Sequence, residues 1–197
     1  MLLYQEIDRY FFEQYDQIPM RVHVTHELHL EKPDNGLDGL LLRKVPVPPY
    51  TKDLSQYEIA SDYEKEFDIS NWKFFMAFDG DRPVGGITLV SRTENVQMLD
   101  GRDDLCVLWD LRVHDDYKRR GIGEKLFHLG VQWATETGLK QIKIECQNNN
   151  IPACKFYQKQ GAVLSAINEY AYYQDPAIRS EIQLIWYLDL ANQQKVL

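Results

Sequence analysis

Between Val113 and Leu126 the chain reads VHDDYKRRGIGEKL, a run that leaves the backbone little choice. The apolar LCVLWDLRV before it (105 to 113) reads as a strand. After it Ile122, Leu126, Leu129 and Trp133 recur at steps of four, three and four, which predicts an amphipathic helix over 121 to 137 with Gly138 just past its end. The turn between them closes on Gly121-Ile122-Gly123. Glycines let a backbone approach a bound group closely, and the first turn of a helix presents N–H groups at the positive end of its dipole. A strand, a glycine turn and a helix start in that order make a cradle for an anion such as a phosphate, with Lys118, Arg119 and Arg120 adding side-chain charge. The turn is not a P-loop, since G-x-x-x-x-G-K-[ST] is absent, nor a dinucleotide fingerprint, since Leu126 holds the third glycine position. A glycine-capped helix behind a solvated basic turn is the plain alternative, and spacing alone does not separate the two.

Composition narrows the partners. The 197 residues suit a single domain over 1–197, and 30 acidic against 22 basic residues leave a net charge of −8, which opposes a phosphate polymer and favours a small cationic partner over a nucleic acid. The three cysteines Cys106, Cys146 and Cys154 are odd in number and irregularly spaced, so no disulfide framework is expected and a reducing cytoplasm is the simplest home. The apolar start is broken by Glu6, Asp8 and Arg9, unlike a secretory leader, and no uncharged apolar run is long enough for a membrane helix. His23, His26 and His29 alternate faces on a strand and cannot jointly hold a metal, so none is expected.

Along the rest of the chain, Ile7, Tyr10, Phe11 and Tyr15 predict a helix over 5 to 16, making residues 1–20 an N-terminal extension or first helix. Residues 21 to 30 alternate as a strand and turn back through Pro33-Asp34-Asn35-Gly36, a hairpin signal. VPVPPY (45 to 50) reads as a stiff connector and the acidic segment 53 to 68 as a helix. WKFFMAFDGDRPVGGITLVS gives two strands about Asp79-Gly80-Asp81; strand 141 to 147, helix 151 to 160 and closing strands near 162 to 173 and 180 to 190 follow.

Lys118-Arg119-Arg120-Gly121-Ile122-Gly123 resembles the pyrophosphate loop of GNAT-type N-acetyltransferases, written [QR]-x-x-G-x-[GA], with Lys118 in place of the usual Gln or Arg. Asn150-Ile-Pro-Ala153-Cys-Lys-Phe156-Tyr157-Gln-Lys159-Gln-Gly161 resembles that family's second motif, N-x-x-A-x-x-F-Y-x-K-x-G. The stretch Glu145 to Cys154, the tail Pro176-x-x-x-x-Glu181 followed by Trp186-Tyr187, and Pro49-Tyr50-Thr51-Lys52-Asp53 are similar to streptothricin acetyltransferases. The resemblance implies an α/β (α+β) fold with a mixed, mostly antiparallel central sheet flanked by helices, splayed between the strands at 105–113 and 141–147. Residues 105–161 would be the acetyl-CoA-binding core.

It also implies direct attack of an amine on the thioester of acetyl-CoA, the co-substrate. Backbone amides of Leu111, Arg112 and Val113 would hold the pantetheine arm like an added strand, Lys118, Arg119, Arg120, Gly121, Ile122, Gly123 and Glu124 would take the pyrophosphate, and Asn150 would bond the arm. Tyr157 would protonate the leaving thiolate. The base is less determined: where the strand before the loop often reads Glu-Asp in the family, this chain has Trp109-Asp110. Asp110 and Glu145 are the candidates for base, and these two with Glu181 and members of the acidic cluster Asp53, Glu58, Asp62, Glu64, Glu66 and Asp68 for binding a polycationic substrate; for each, a structural carboxylate, or for the cluster a solvated helix face, is the plain alternative. The acceptor expected is a small polycationic amine, with streptothricin leading and antibiotic detoxification as the consequence. Rival readings are a protein N-terminal or lysine acetyltransferase and a non-catalytic acyl-CoA sensor. Pairing through the closing strands into a homodimer is an expectation by analogy only.

Overall fold

The computed structural model describes residues 1–191. In chain order the elements are β1 (Leu2–Glu6), α1 (Phe12–Asp16), β2 (Arg21–Glu31), β3 (Leu41–Asp53), α2 (Tyr63–Glu66), β4 (Trp72–Asp79), β5 (Arg82–Ser91), β6 (Leu105–Val113), α3 (Ile122–Glu136), β7 (Gln141–Gln147), α4 (Ile151–Lys159), β8 (Val163–Asn168) and β9 (Gln183–Asp189). Seven strands hydrogen bond in the order β1-β4-β5-β6-β7-β9-β8, and β2 with β3 forms a separate two-stranded sheet. The contiguous pairs β1·β4, β4·β5 and β5·β6 are antiparallel and β6·β7 is parallel, so the main sheet is mixed and mostly antiparallel, as expected. The parallel ladder runs from Leu105↔Gln141 to Leu108↔Ile144. Among the described residues no helix is long and apolar enough to cross a membrane.

By packing, the chain divides into two units. Among the described residues the first comprises Met1–Arg21, Asp53–Ile144 and residues 187–191. The helix expected over 5 to 16 is instead β1, which pairs with β4 from Leu2↔Asp79 to Glu6↔Phe75, a turn of 3-10 helix (Arg9–Phe11) capped by Asp8, and the short α1. A lone helix of about 12 residues is marginal in water, so a ladder offered by a neighbouring strand overrides the local period. The acidic segment likewise forms only a 3-10 turn (Ala60–Asp62) and the single-turn α2. Its backbone is claimed from outside: the Asp16 carboxylate accepts from Ala60 N at 2.7 Å and Ser61 N at 3.1 Å.

The sheet of this unit is covered on both faces. On one, Phe12, Tyr15, Ile18, Tyr63, Trp72, Phe74 and Met76 form an aromatic core. On the other lies α3, whose Ile122 and Leu126 reach the sheet because Gly85 has no side chain; a Cβ there would stand 2.8 Å from Ile122 Cγ2. Full burial of Leu126 contributes about 1.5–3 kcal/mol. The adjacent Gly86 opens the opposite face to the Tyr15 ring, so two consecutive glycines admit a helix on each side.

The second unit comprises Val22–Lys52 and Glu145–Trp186. Its hairpin turns at the expected Pro33–Gly36, where Asp34, Asn35 and Gly36 all take positive φ. The proline-rich stretch expected as a connector is part of β3, because prolines suit extended backbone wherever their missing N–H is not needed by a partner.

Candidate active site

The strand before the glycine loop changes phase at one residue. β6 pairs Leu108 with Leu89 and Asp110 with Thr88, so Trp109 is an extra residue, a β-bulge with no cross-strand partner. Regular alternation would put Asp110 and Arg112 on the face opposite Leu105, Val107 and Trp109. The bulge instead turns all five toward the aromatic core, since Arg112 reaches Ile18 and Tyr15 there. Val113 returns to the α3 side, near Gly123.

Asp110 and Arg112 form a fully buried ion pair, Arg112 Nε donating to Asp110 Oδ2 at 2.6 Å. The same guanidinium donates to Ile18 O at 3.3 Å and Glu58 O at 2.9 Å and lies over the Tyr15 ring at 4.9 Å. It therefore ties α1 and the acidic segment to β6. Burial pushes the Asp110 carboxyl up, against the pull of Arg112. Burial also disfavours the Arg112 charge, but Asp110 beside it holds the guanidinium protonated.

The residue that Arg112 holds by its carbonyl is Glu58, which the sequence offers only as one of an acidic run for binding a cation and not as a candidate base. Glu58 Oε2 accepts from Trp109 Nε1 at 2.7 Å and from Tyr63 Oη at 3.2 Å, at the wall of a cleft of about 230 Å³. Burial, reinforced by the Asp110 charge, pushes the Glu58 carboxyl up to about 7, while the Trp109 and Tyr63 hydrogen bonds and Arg112 restrain the rise. A carboxyl poised there can take or give a proton near neutral pH. The signal available in the sequence was an aromatic at five and at nine residues beyond an acid, Tyr63 and Phe67 after Glu58, inside a charge run that reads more simply as a solvated face.

The glycine loop has the geometry of an anion cradle. Arg119 and Gly121 take φ of 63° and 80°, and Gly121 precedes α3 with no side-chain cap. The first helical bond is Lys125 N to Gly121 O at 3.0 Å, so the N–H groups of Ile122 and Gly123 point out of the helix start with no helical carbonyl to receive them. Lys118 is exposed but tethered: its Nζ donates to Arg21 O at 2.6 Å and pairs with Asp115 at 2.7 Å, fixing the loop. Arg120 stacks over the Tyr117 ring at 4.8 Å. Leu111, Arg112 and Val113 pair along one edge with Ile87, Gly86 and Gly85. These features, an uncapped helix start above all, fit a phosphate-bearing ligand.

In the second unit Asn150 caps α4, its Oδ1 accepting from Ala153 N at 3.2 Å, and Tyr157 is buried on that helix. Glu145 has both oxygens engaged, by Tyr172 Oη at 2.6 Å and Gln183 Nε2 at 2.7 Å. Glu181 pairs with Lys52, both largely buried. Cys146 Sγ and Cys154 Sγ lie 3.4 Å apart as free thiols. The structure thus gathers Asp110, Arg112 and Glu58 of the acidic run, keeps residues 118 to 124 in one loop, and gives Glu145 and Glu181 local partners.

Comparison with known proteins follows the same lines. A model of the acetyltransferase (GNAT) family matches residues 41–162, more than half of the chain. The chain is 28% identical over 166 residues to a streptothricin acetyltransferase of Escherichia coli, covering 84% of this chain and 83% of that one. Streptothricin acetyltransferase A of Bacillus subtilis (strain 168) is 35% identical over 82 residues, 42% of this chain and 47% of the other, so the match spans about half of that relative. Among solved structures, nourseothricin acetyltransferase superposes with a TM-score of 0.76 at 21% identity, covering 96% and 98% of the two chains. A Bacillus anthracis str. Ames protein, named as a candidate streptothricin acetyltransferase and crystallised with acetyl coenzyme A, gives a TM-score of 0.75 at 25% identity, covering 96% and 99%.

Proposed function

Because the chain belongs to the acetyltransferase (GNAT) family, we propose that it moves the acetyl group of acetyl-CoA to an amino group of a small polycationic amine, with streptothricin the leading acceptor and its detoxification the consequence. The observation that carries the co-substrate assignment is the uncapped start of α3 behind Gly121 at φ 80°. Residues 118 to 124 hold the pyrophosphate there: Ile122 and Gly123 donate backbone N–H, and Arg119 and Arg120 supply charge. Lys118 acts by holding the loop to Arg21 and Asp115.

Leu111, Arg112 and Val113 bind the pantetheine arm through their backbone, as an added strand. Asn150 bonds the arm as well as capping α4. When bound, acetyl-CoA supplies an activated acyl carbon and a thiolate leaving group. Tyr157 protonates that thiolate as general acid. The Arg112 side chain holds the shape of the site, with Asp110 as its counter-ion. The many acidic groups of a chain at net −8 favour a cationic acceptor over an acidic one.

The test is CoA thiol release from acetyl-CoA on streptothricin, an aminoglycoside, spermidine and a lysine peptide in parallel, with Tyr157→Phe as the control. Turnover on streptothricin that falls by about 10²–10⁴-fold in the variant supports both the acceptor and the acid. Turnover confined to the peptide overturns the drug assignment, and saturable CoA binding without turnover on any acceptor favours an acyl-CoA sensor.

A further inference from the structure

We propose that Glu58 is the carboxylate that receives the acceptor's ammonium group and takes its proton, the cleft beside Trp109 being the amine-binding pocket. The inference rests on the acetyl-transfer reading for the chemistry and on the cleft's own geometry for the site. The cleft is walled by Tyr57, Glu58, Asp62, Tyr63, Glu66 and Trp109, acids interleaved with aromatic rings whose faces attract cations.

What separates Glu58 from the other acids is the character of its partners. Trp109 and Tyr63 are neutral donors, both directed at Oε2, and among the described residues no lysine or arginine pairs with the Glu58 carboxylate. Arg112, the nearest cation, spends its side chain on Asp110 and reaches Glu58 only at the carbonyl. Asp110 has its counter-ion and no exposed side-chain surface, Asp62 pairs with Lys65, Glu181 pairs with Lys52, Glu145 uses both oxygens, and Glu66, on the same cleft wall, is exposed to solvent. Glu58 is therefore a half-buried carboxylate, held rigidly by one oxygen at a cleft wall, whose charge lacks a partner until a cation arrives. Its holder Trp109 is the bulged residue, so the phase change of β6 sets this carboxylate against the strand that would carry the thioester.

The protonation behaviour is consistent with the role. The groups facing Glu58 are Asp110 and Arg112 from β6 and Tyr63, Asp62 and Glu66 from around α2; burial and Asp110 dominate and poise the carboxyl at about 7. An alkylammonium near pKa 10.4 gives one proton to Glu58, and the freed nitrogen lone pair attacks the thioester carbon. The C–N bond forms and the C–S bond breaks. The nitrogen's second proton balances the one that Tyr157 delivers to the thiolate, so each turnover releases one proton, through Glu58, to water.

The test is the pH profile of kcat on streptothricin, with calorimetric binding of acetyl-CoA and spermidine. Wild type should gain rate as pH rises through about 7, as the Glu58 carboxyl ionises. Glu58→Gln should lower kcat by about 10²–10⁴-fold and abolish that rise while leaving acetyl-CoA affinity intact. Trp109→Phe removes a bond that stabilises the charged carboxylate, so the rise should move to higher pH. Glu58→Gln with wild-type kcat and an unchanged rise overturns the proposal. If that variant fails to fold, an unshifted profile in Trp109→Phe overturns it equally. Should wild type acetylate no amine, the transfer reading fails first and calorimetry decides the pocket: spermidine binding lost in Glu58→Gln supports it, and equal binding in both proteins overturns it.

Discussion

Replacing Arg112 by methionine tests whether one guanidinium holds this unit together. The substitution keeps most of the buried volume and removes the bond to Asp110 Oδ2 at 2.6 Å, those to Ile18 O and Glu58 O at 3.3 and 2.9 Å, and the contact with the Tyr15 ring. Both charged side chains are wholly inaccessible, so Asp110 is left as a buried acid without its cation. Breaking a buried pair from one side costs about 3–5 kcal/mol. At about 2–4 °C per kcal/mol for a chain of this size, Tm should fall by about 6–20 °C. Urea unfolding of wild type, Arg112→Met, Asp110→Leu and the double variant gives the coupling. The double variant should regain what the orphaned carboxylate costs but not the two carbonyl bonds, worth about 1 kcal/mol each. The pH dependence has a definite sign. Without Arg112 the folded-state pKa of Asp110 rises further above its ordinary value near 3.9, so the variant's deficit is largest at neutral pH and shrinks as pH falls and the acid protonates. A loss under about 1 kcal/mol, or one that does not change with pH, refutes the reasoning.

Other expectations follow from single positions. Gly86→Ala puts a methyl group into the Tyr15 ring and should destabilise by about 1–3 kcal/mol in urea without altering acetyl-CoA affinity at equal folded fraction. Gly121→Val forces a β-branched residue to φ 80° at the start of α3 and should raise KM for acetyl-CoA more than it lowers kcat, read by initial rates. Cys106, Cys146 and Cys154 are all buried and free, so an aromatic disulfide reagent should label none rapidly in the native protein and all three after unfolding.

How far the sequence disclosed this arrangement depended on whether the cause was local. The hairpin at Asp79-Gly80-Asp81 and the helix over Ile122–Glu136 were legible because turn chemistry and a 3.6-residue period are written in neighbouring residues. β1 was misread because Ile7, Tyr10 and Phe11 carry a helical period that only a distant strand, β4, overrides. The bulge at Trp109 was illegible in principle: it is a mismatch in count between β5 and β6, and LCVLWDLRV alone does not hold the count of its partner. For a related reason Glu58 does not stand out from the rest of its acidic run. Its character comes from Trp109, 51 residues away, and from Asp110 beyond it, while its own neighbourhood reads as a solvated acidic run. The loop at 118 to 124 was readable as a cradle, but not that Lys118 would be drawn to the Arg21 carbonyl.

The β2–β3 ribbon carries a further implication. A sheet of two strands is all edge, and an edge of unpaired N–H and C=O groups is a template on which a foreign chain can stack. β3 places prolines at 46, 48 and 49, and a proline has no hydrogen to offer a newcomer. Neighbouring residues of a strand direct their N–H groups to opposite sides, so with β2 on one side of β3, either Pro46 and Pro48 or Pro49 removes a donor from the free edge. The sequence that looks ill-suited to a strand is thus a built-in guard against cross-β stacking, letting a long exposed ribbon persist in a crowded cell without seeding aggregates.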